Sequence, residues 1–254
     1  MIRFDHVSKA LGGRLILDDM SLELLKGETL VVVGPSGAGK SVTLKHIVRL
    51  MIPDSGCVYV DGDPISTASG NDLSRLRDKI GFLFQGGALL AWLTVTENVA
   101  LPLRERTNLS DKEILDRVQE TLGLIGLEKD GHKFPSEISG GMRKRVGLAR
   151  AIISRPDVVL YDEPTSGLDP VTSRRIDDLI NNMRKELNIT SVVVTHDLHS
   201  ALSIGSRIAM LYGGKIVELS TPEEFLKSSQ PQVKEFLDSQ FITKQGSWER
   251  SPDV

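Results

Sequence analysis

The chain has 254 residues, enough to bury a substantial core as one domain or two small ones. Lys and Arg number 31 against 34 Asp and Glu, a formal net charge of -3, whereas a nucleic-acid-binding domain is expected to be strongly basic. The single cysteine, Cys57 in the apolar run CVYV, excludes a disulfide within the chain and reads as a small core residue. The first residues, MIRFDHVSK, lack the apolar stretch of a signal peptide, and no run reaches the about 18 apolar residues of a membrane span. A cytosolic protein is expected, with any membrane association made through a partner.

In chain order, MSLELL and ETLVVVG read as strands, the second so continuously apolar that it suits a buried parallel strand. GKSVTLKHIVRL follows as a helix. CVYVDGDPI is a strand ending in a turn at Asp61-Gly62, and KIGFLFQ is another strand. Ser110 with Glu113 forms a capping-box pattern opening an amphipathic helix to about Leu122. GMRKRVGLARAIIS is a helix with Met142, Val146, Ala149, Ile152 and Ile153 on one side, stopped by Pro156. Strand DVVLYDE, helix PVTSRRIDDLINNMRKEL, strand TSVVVTH, helix DLHSALSI and a hairpin around Gly213-Gly214 complete the order.

This alternation predicts an α/β fold with a mainly parallel central sheet. Only helical patterns lie between about 85 and 155, so a helical subdomain is expected there, inserted into an α/β core of about 1–84 and 156–240. The tail 241–254 is polar and is expected to be disordered.

GPSGAGKS fits G-x-x-x-x-G-K-[ST] at Gly34, Gly39, Lys40 and Ser41, between a strand and a helix as the pattern requires. The loop Gly34, Pro35, Ser36, Gly37, Ala38 and Gly39 lets backbone N–H groups converge on phosphate oxygens. Lys40 neutralises the β- and γ-phosphates, and Ser41 offers a hydroxyl to Mg²⁺. VVLYDEPTSGLD places two acids at the carboxyl end of an apolar strand, where open α/β sheets bind ligands. Asp162 is suited to hold Mg²⁺, and Glu163, expected on extended backbone pointing the other way, to take a proton from a water attacking the γ-phosphate. His196 ends a third apolar strand and could donate to that phosphate or water. Gln85 ends GFLFQ, where the helical region begins.

SGGMRKR raises a separate question, because one nucleotide needs one glycine-rich loop. Ser139, Gly140 and Gly141 offer a hydroxyl and unhindered N–H groups at a helix start, a second anion-binding arrangement. A second copy of the chain, facing head to tail, could bring this turn to the first copy's γ-phosphate. The plainer reading is a capped helix with a solvated basic face of Arg143, Lys144 and Arg145.

The ordered set GPSGAGKS, FQ, SGGMRKR, VVLYDEPTSGLD and VVVTH resembles the ATP-binding cassette family of ATPases over about residues 2–240. The resemblance implies a phosphate-loop NTPase core with an N-terminal antiparallel β part, an inserted helical subdomain, ATP and Mg²⁺ as ligands, and an ATP-sandwich homodimer. It gives the signature role to Ser139, Gly140, Gly141 and Met142 and the Q-loop role, catalytic and at the metal, to Gln85. The D-loop role falls on Ser166–Asp169, with Asp169 near nucleotide, and the switch role on His196. The phosphate loop extends through Val42.

Three positions depart from the family pattern. Met142 stands where a glutamine is common, Val42 removes a hydroxyl near the α-phosphate, and Leu11 stands where an aromatic usually stacks on adenine. Either the lost π-face costs about 1 kcal/mol, roughly fivefold in affinity, or another residue supplies the contact to adenine.

SGGMRKR and FQGGALLAWLTVTENVALPLRE are similar to the ATPases of Mce/Mla-type lipid transporters. That likeness implies phospholipid-type transport through a membrane permease at the cytoplasmic face of the inner membrane, with a lipid-binding MCE-type subunit and a small accessory regulator as further partners. Ala88, Leu89, Leu90, Trp92 and Leu93 would line a groove for a permease helix, or simply pack the subdomain core. The rival within this reading is an importer of a polar solute such as an amino acid. A soluble cassette acting on DNA or ribosomes is disfavoured by the single uninterrupted cassette and net negative charge. A non-hydrolysing switch is disfavoured by the presence of Glu163 and His196.

Overall fold

The computed structural model describes residues 1–240; the expected disordered tail, 241–254, lies outside them. In chain order the elements are β1 (Ile2–Leu11), β2 (Arg14–Leu24), β3 (Thr29–Val33), α1 (Lys40–Ile47), β4 (Ser55–Val60), β5 (Asp63–Pro64), α2 (Gly70–Asp78), β6 (Ile80–Leu83), α3 (Val95–Arg106) and α4 (Asp111–Leu124). After a 3₁₀ turn at Pro135–Glu137 come α5 (Gly140–Ile152), β7 (Val158–Asp162), α6 (Pro170–Leu187), β8 (Thr190–Val194), α7 (Leu198–Ile204), β9 (Arg207–Tyr212), β10 (Lys215–Ser220), α8 (Pro222–Leu226) and α9 (Pro231–Ser239). Contacts divide the chain into two compact units, one of residues 1–66 and 194 onward, the other of residues 67–193.

In the first unit, β2, β1, β4 and β5 form an antiparallel sheet in that order, while β10, β9 and β3 lie side by side with β3 and β9 parallel. All five residues of β3, Thr29 and the four apolar residues after it, are buried, as expected of a strand covered on both faces. Two glycine pairs set the hairpins: Gly12-Gly13 joins β1 to β2 and Gly213-Gly214 joins β9 to β10, all four at positive φ, as tight two-residue turns of this hand demand. The chain's start forms the long strand β1, whose buried Ile2, Phe4 and Val7 are not evenly spaced. His6, at φ 51, accounts for that: it marks a register shift between Phe4 and Val7, so the inward face advances by three residues instead of two.

In the second unit the strands run in the order β8-β7-β6, with β6 and β7 parallel and every residue of β7 and β8 buried. Between residues 85 and 155 the described regular elements are helical. The Ser110 side chain accepts from Glu113 N and the Glu113 carboxylate accepts from Ser110 N, so the capping box is formed. An equivalent box at Thr94 and Glu97 opens α3, a helix that runs on through Pro102.

His46, on the inner side of α1, is buried. Its Nδ1 lies 2.7 Å from the Val42 carbonyl and its Nε2 has no hydrogen-bond partner. Burial therefore pushes its pKa below the ordinary 6.5, with the backbone contact and the Lys9 and Asp54 charges as smaller influences. The unfolded chain then takes up a proton more readily than the fold, so stability is complete above about pH 6.5 and falls as the pH drops toward the folded-state value. Thermal unfolding between about pH 7.5 and about pH 5.5 should show a Tm decline that is smaller by a few degrees in His46→Phe; equal declines would remove His46 as the cause.

Candidate functional site

The loop after β3 is built so that its backbone faces inward on itself. Gly34 is buried, and a Cβ there would lie 2.2 Å from the Leu211 carbonyl oxygen, so a side chain is excluded where β3 passes β9. Gly37 and Gly39 hold positive φ values of 79 and 107. Ala38 N donates to the Pro35 carbonyl at 3.2 Å, closing the turn.

Pro35, Ser36 and Gly37 are exposed at the rim, and Ala38, Ser41 and Val42 are half-buried. Lys40 is only 7% exposed, and its Nζ donates to the carbonyls of Gly34 at 2.8 Å and Pro35 at 3.2 Å. Gly39 precedes α1 without a side-chain cap, so the helix's first N–H groups are not taken by a cap of that kind. The start of β2 backs this loop: a Cβ on Gly39 would lie 3.0 Å from Ile16 Cγ2 and 3.1 Å from Leu17 Cδ2. Leu11 and Leu15, flanking the nearby hairpin turn, are exposed.

In the same unit Thr195 N donates to the Val32 carbonyl, which places the end of TSVVVTH beside β3 just ahead of the glycine loop. His196 follows and is exposed. Asp197 caps α7, accepting from His199 N at 2.9 Å and Ser200 N at 3.2 Å.

In the second unit the remaining candidates gather around α5. Ser139 is its N-cap, with Oγ accepting from Met142 N at 3.2 Å. A Cβ on Gly141 would sit 2.6 Å from Thr172 Cγ2, so only glycine lets this turn close on the start of α6. There Asp169 spends its carboxylate on capping: Oδ1 accepts from Val171 N and Thr172 N, both at 3.0 Å, and Oδ2 from Thr172 Oγ1 at 2.6 Å. The Thr172 side-chain bond, then its backbone N–H, holds that carboxyl below the usual range. The serine-glycine turn and the Asp169 loop are thus neighbours. Met142 is half-buried beside them.

Asp162 ends β7 buried at 7% exposure. Glu163 departs from expectation: it is not on extended backbone but has a φ of 49, in the left-handed region that non-glycine residues seldom occupy. The strand stops there because the chain turns, with Ser166 N donating to the Glu163 carbonyl at 3.2 Å.

The basic face on α5 is also not what the sequence suggested. Arg143 is exposed, but Lys144 is buried, and all three side chains bind carbonyls. Arg143 donates to Ile138 O at 2.9 Å and Arg145 to Ile125 O at 2.7 Å. Lys144 Nζ donates to the Glu163 carbonyl at 2.9 Å and to the Gln85 carbonyl. Burial pushes the Lys144 ammonium below the ordinary lysine value, opposed by the charges of Glu163 and Asp162. The signal for this was present: Lys144 stands three residues after Gly141 and four before Leu148, on an otherwise small or apolar stripe.

Two further residues hold the segment after Gln85 by contacts that no sequence pattern announces. Arg150 reaches Gly87 O at 2.8 Å and Ala88 O at 2.7 Å. Asn98, fully buried in α3, accepts from Leu90 N and donates to the carbonyls of Leu90, Leu93 and Thr94. Between these clamps the segment after Gln85 is not packed away: Ala88 is exposed, Trp92 is 72% exposed, and Leu89, Leu90 and Leu93 are half-buried.

The family model for the ABC transporter matches residues 17–166. The chain is 40% identical over 253 residues to the "Probable ribonucleotide transport ATP-binding protein mkl" of Mycobacterium tuberculosis, spanning 100% of this chain and 70% of that protein. It is 37% identical over 237 residues to the intermembrane phospholipid transport system ATP-binding protein MlaF of Haemophilus influenzae, covering 93% and 90% of the two chains. It is also 40% identical over 242 residues to the methionine import ATP-binding protein MetN 2 of Pseudomonas entomophila, covering 93% and 72%.

Among solved structures, the dimeric ATP-binding cassette MJ0796 in a post-hydrolysis state with ADP and Pi superposes with a TM-score of 0.80 at 35% identity, over 87% of this chain and 99% of that one. The glycine loop around Lys40, the acids closing β7 and the capped serine-glycine turn of α5 therefore lie in a chain that belongs to the ABC transporter family, as the ATP-binding, ATP-hydrolysing subunit of such a transporter.

Proposed function

We propose that the chain drives phospholipid-type transport, working as a head-to-tail homodimer beneath a membrane permease at the cytoplasmic face of the inner membrane. The observation that carries the lipid reading is the sequence SGGMRKR at the start of α5 with the segment after Gln85, both similar to Mce/Mla-type ATPases. The likeness to MlaF over 93% of the chain supports it. The named relatives also include a methionine importer, so a polar-solute importer is the second reading. No helix among the described residues is long and apolar enough to cross a membrane, so a permease would supply the spanning segments. The exposed Trp92 and Ala88 fit a docking place for it, and an MCE-type subunit and a small regulator would complete the assembly.

In this mechanism the loop Gly34–Gly39, with Lys40 and Val42, receives the triphosphate, and Leu11 stands at the sequence position where the family usually has its adenine-stacking aromatic. Ser41 and Asp162 carry the kind of hard oxygen donors Mg²⁺ takes and would hold it, and the ion would offset phosphate charge. Gln85 would help position that ion and the water. Glu163 acts as base toward the attacking water and His196 as a donor to the γ-phosphate. Most of the rate comes from positioning and electrostatic stabilisation, as in other phosphoryl transfers. Ser139, Gly140, Gly141 and Met142 serve the nucleotide held by the partner copy, with Asp169 close by. Residues 85–155 act as the helical subdomain that carries movement to the permease.

Three outcomes are expected. Glu163→Gln should cut turnover on the order of 100-fold or more while leaving ATP affinity within about twofold and giving a stable ATP-bound dimer by gel filtration. Wild-type turnover in that variant would remove the base role. With Cys57 replaced by Ser, Ser36→Cys and Ser139→Cys in one chain should cross-link between two chains under saturating ATP; a link confined within single chains would refute the head-to-tail dimer. Purification from native membranes in mild detergent should bring down a permease, a single-span lipid-binding subunit and phospholipid. A soluble amino-acid-binding protein in their place would favour the importer.

A further inference from the structure

We propose that Lys144 is a positioning residue for hydrolysis: from the second turn of α5 it ties the backbone of Gln85 and the backbone of Glu163 to the helix that begins at Ser139. This rests on the proposed roles of Glu163 and of the serine-glycine turn.

The side chain is almost wholly out of water, at 6% residue exposure, yet it is spent on two carbonyls from separate loops, Gln85 O and Glu163 O. A buried ammonium is costly and is kept only where its N–H groups find acceptors. One acceptor belongs to a residue held in the left-handed region, Glu163 at φ 49. A donor on that carbonyl helps hold the turn that fixes where the Glu163 side chain leaves the backbone.

The other acceptor opens a segment that α5 grips along one face. A Cβ on Gly147 would lie 3.2 Å from both Gly87 Cα and Gly87 O, and Arg150 binds the carbonyls of Gly87 and Ala88. Lys144, Gly147 and Arg150 recur every three residues, so they form one stripe on the helix. A nucleotide seated at Ser139 therefore acts on a helix already fastened to both the proposed base and the Gln85 segment. Two loops from separate parts of the sequence are held in one geometry, and misplacement by about 1 Å at a reacting group can cost on the order of 100-fold in rate.

The test compares Lys144→Met, which keeps chain length and loses the donors, with Lys144→Arg, which keeps donors. Steady-state ATPase, binding of a fluorescent ATP analogue and thermal unfolding are measured on both, beside wild type and Glu163→Gln. Lys144→Met should lower kcat at least tenfold with KM and analogue Kd within twofold, and Lys144→Arg should recover a third or more of wild-type kcat. Hydrogen exchange should speed up at residues 85–88 and 163–166 in Lys144→Met, a readout that needs no turnover. Unchanged kcat in Lys144→Met, or unchanged exchange in both segments, overturns the proposal. So does a kcat loss that Lys144→Arg fails to relieve. Full turnover in Glu163→Gln would instead sink the base role on which the proposal rests, and an inactive Glu163→Gln beside a fully active Lys144→Met sinks the tie alone.

Discussion

Burying a lysine ammonium group is the constraint that each of the two units of this chain has to meet. Water stabilises a lysine charge strongly, and a side chain taken out of water must recover that loss from oriented dipoles or opposite charge. Lys40 recovers part of it from the carbonyls of Gly34 and Pro35, and Lys144 from those of Gln85 and Glu163. The Lys40 acceptors come from one bend, with glycines at positive φ in the loop after β3, whereas the Lys144 acceptors come from two separate segments, one of them the left-handed turn at Glu163 after β7. Carbonyl partners also carry no net charge. These two contacts therefore leave the charge of Lys40 itself unchanged.

Much of this was legible in the residues. The five-residue run of β3 could scarcely be anything but a buried strand, and all five positions are buried. Ser110 with Glu113, and the two glycines of the β9–β10 turn, did what their chemistry required. What escaped reading did so for definable reasons. β1 hides its alternation because the register shift at His6 puts Val7 inward three residues after Phe4. α3 carries Pro102 in its interior, which reads as a break, although the Thr94–Glu97 box announced the helix. Polarity misled at Lys144, because a lysine between two arginines looks like a solvated face until the pitch of the helix is followed. The turn at Glu163 left no trace in sequence, since no glycine marks it.

The clamp on residues 87–98 shows how a loop can be both fixed and available. Asn98 uses its side-chain amide on Leu90, Leu93 and Thr94, and Arg150 holds Gly87 and Ala88, so the backbone is satisfied from beneath. With main-chain groups satisfied from the helices, the side chains between them are released from supporting the loop. That is how Trp92 can be 72% exposed in an ordered segment. An indole facing water gives up the burial that would otherwise stabilise the fold, which makes sense where an apolar partner surface is to cover it.

The same reasoning explains why cargo is the hardest property to read from such a chain. Phosphate, water and the groups that meet them are alike whatever is moved across the membrane, so the loop around Lys40 and the acids at the end of β7 carry no information about cargo. Any imprint of cargo must be second-hand, through the shape of the permease that the ATPase was fitted to hold. The place to look is therefore the exposed side chains of residues 88–93 and the turn of α5 that carries Lys144. A lipid reading argued from those positions uses the part of the molecule where the information can physically reside.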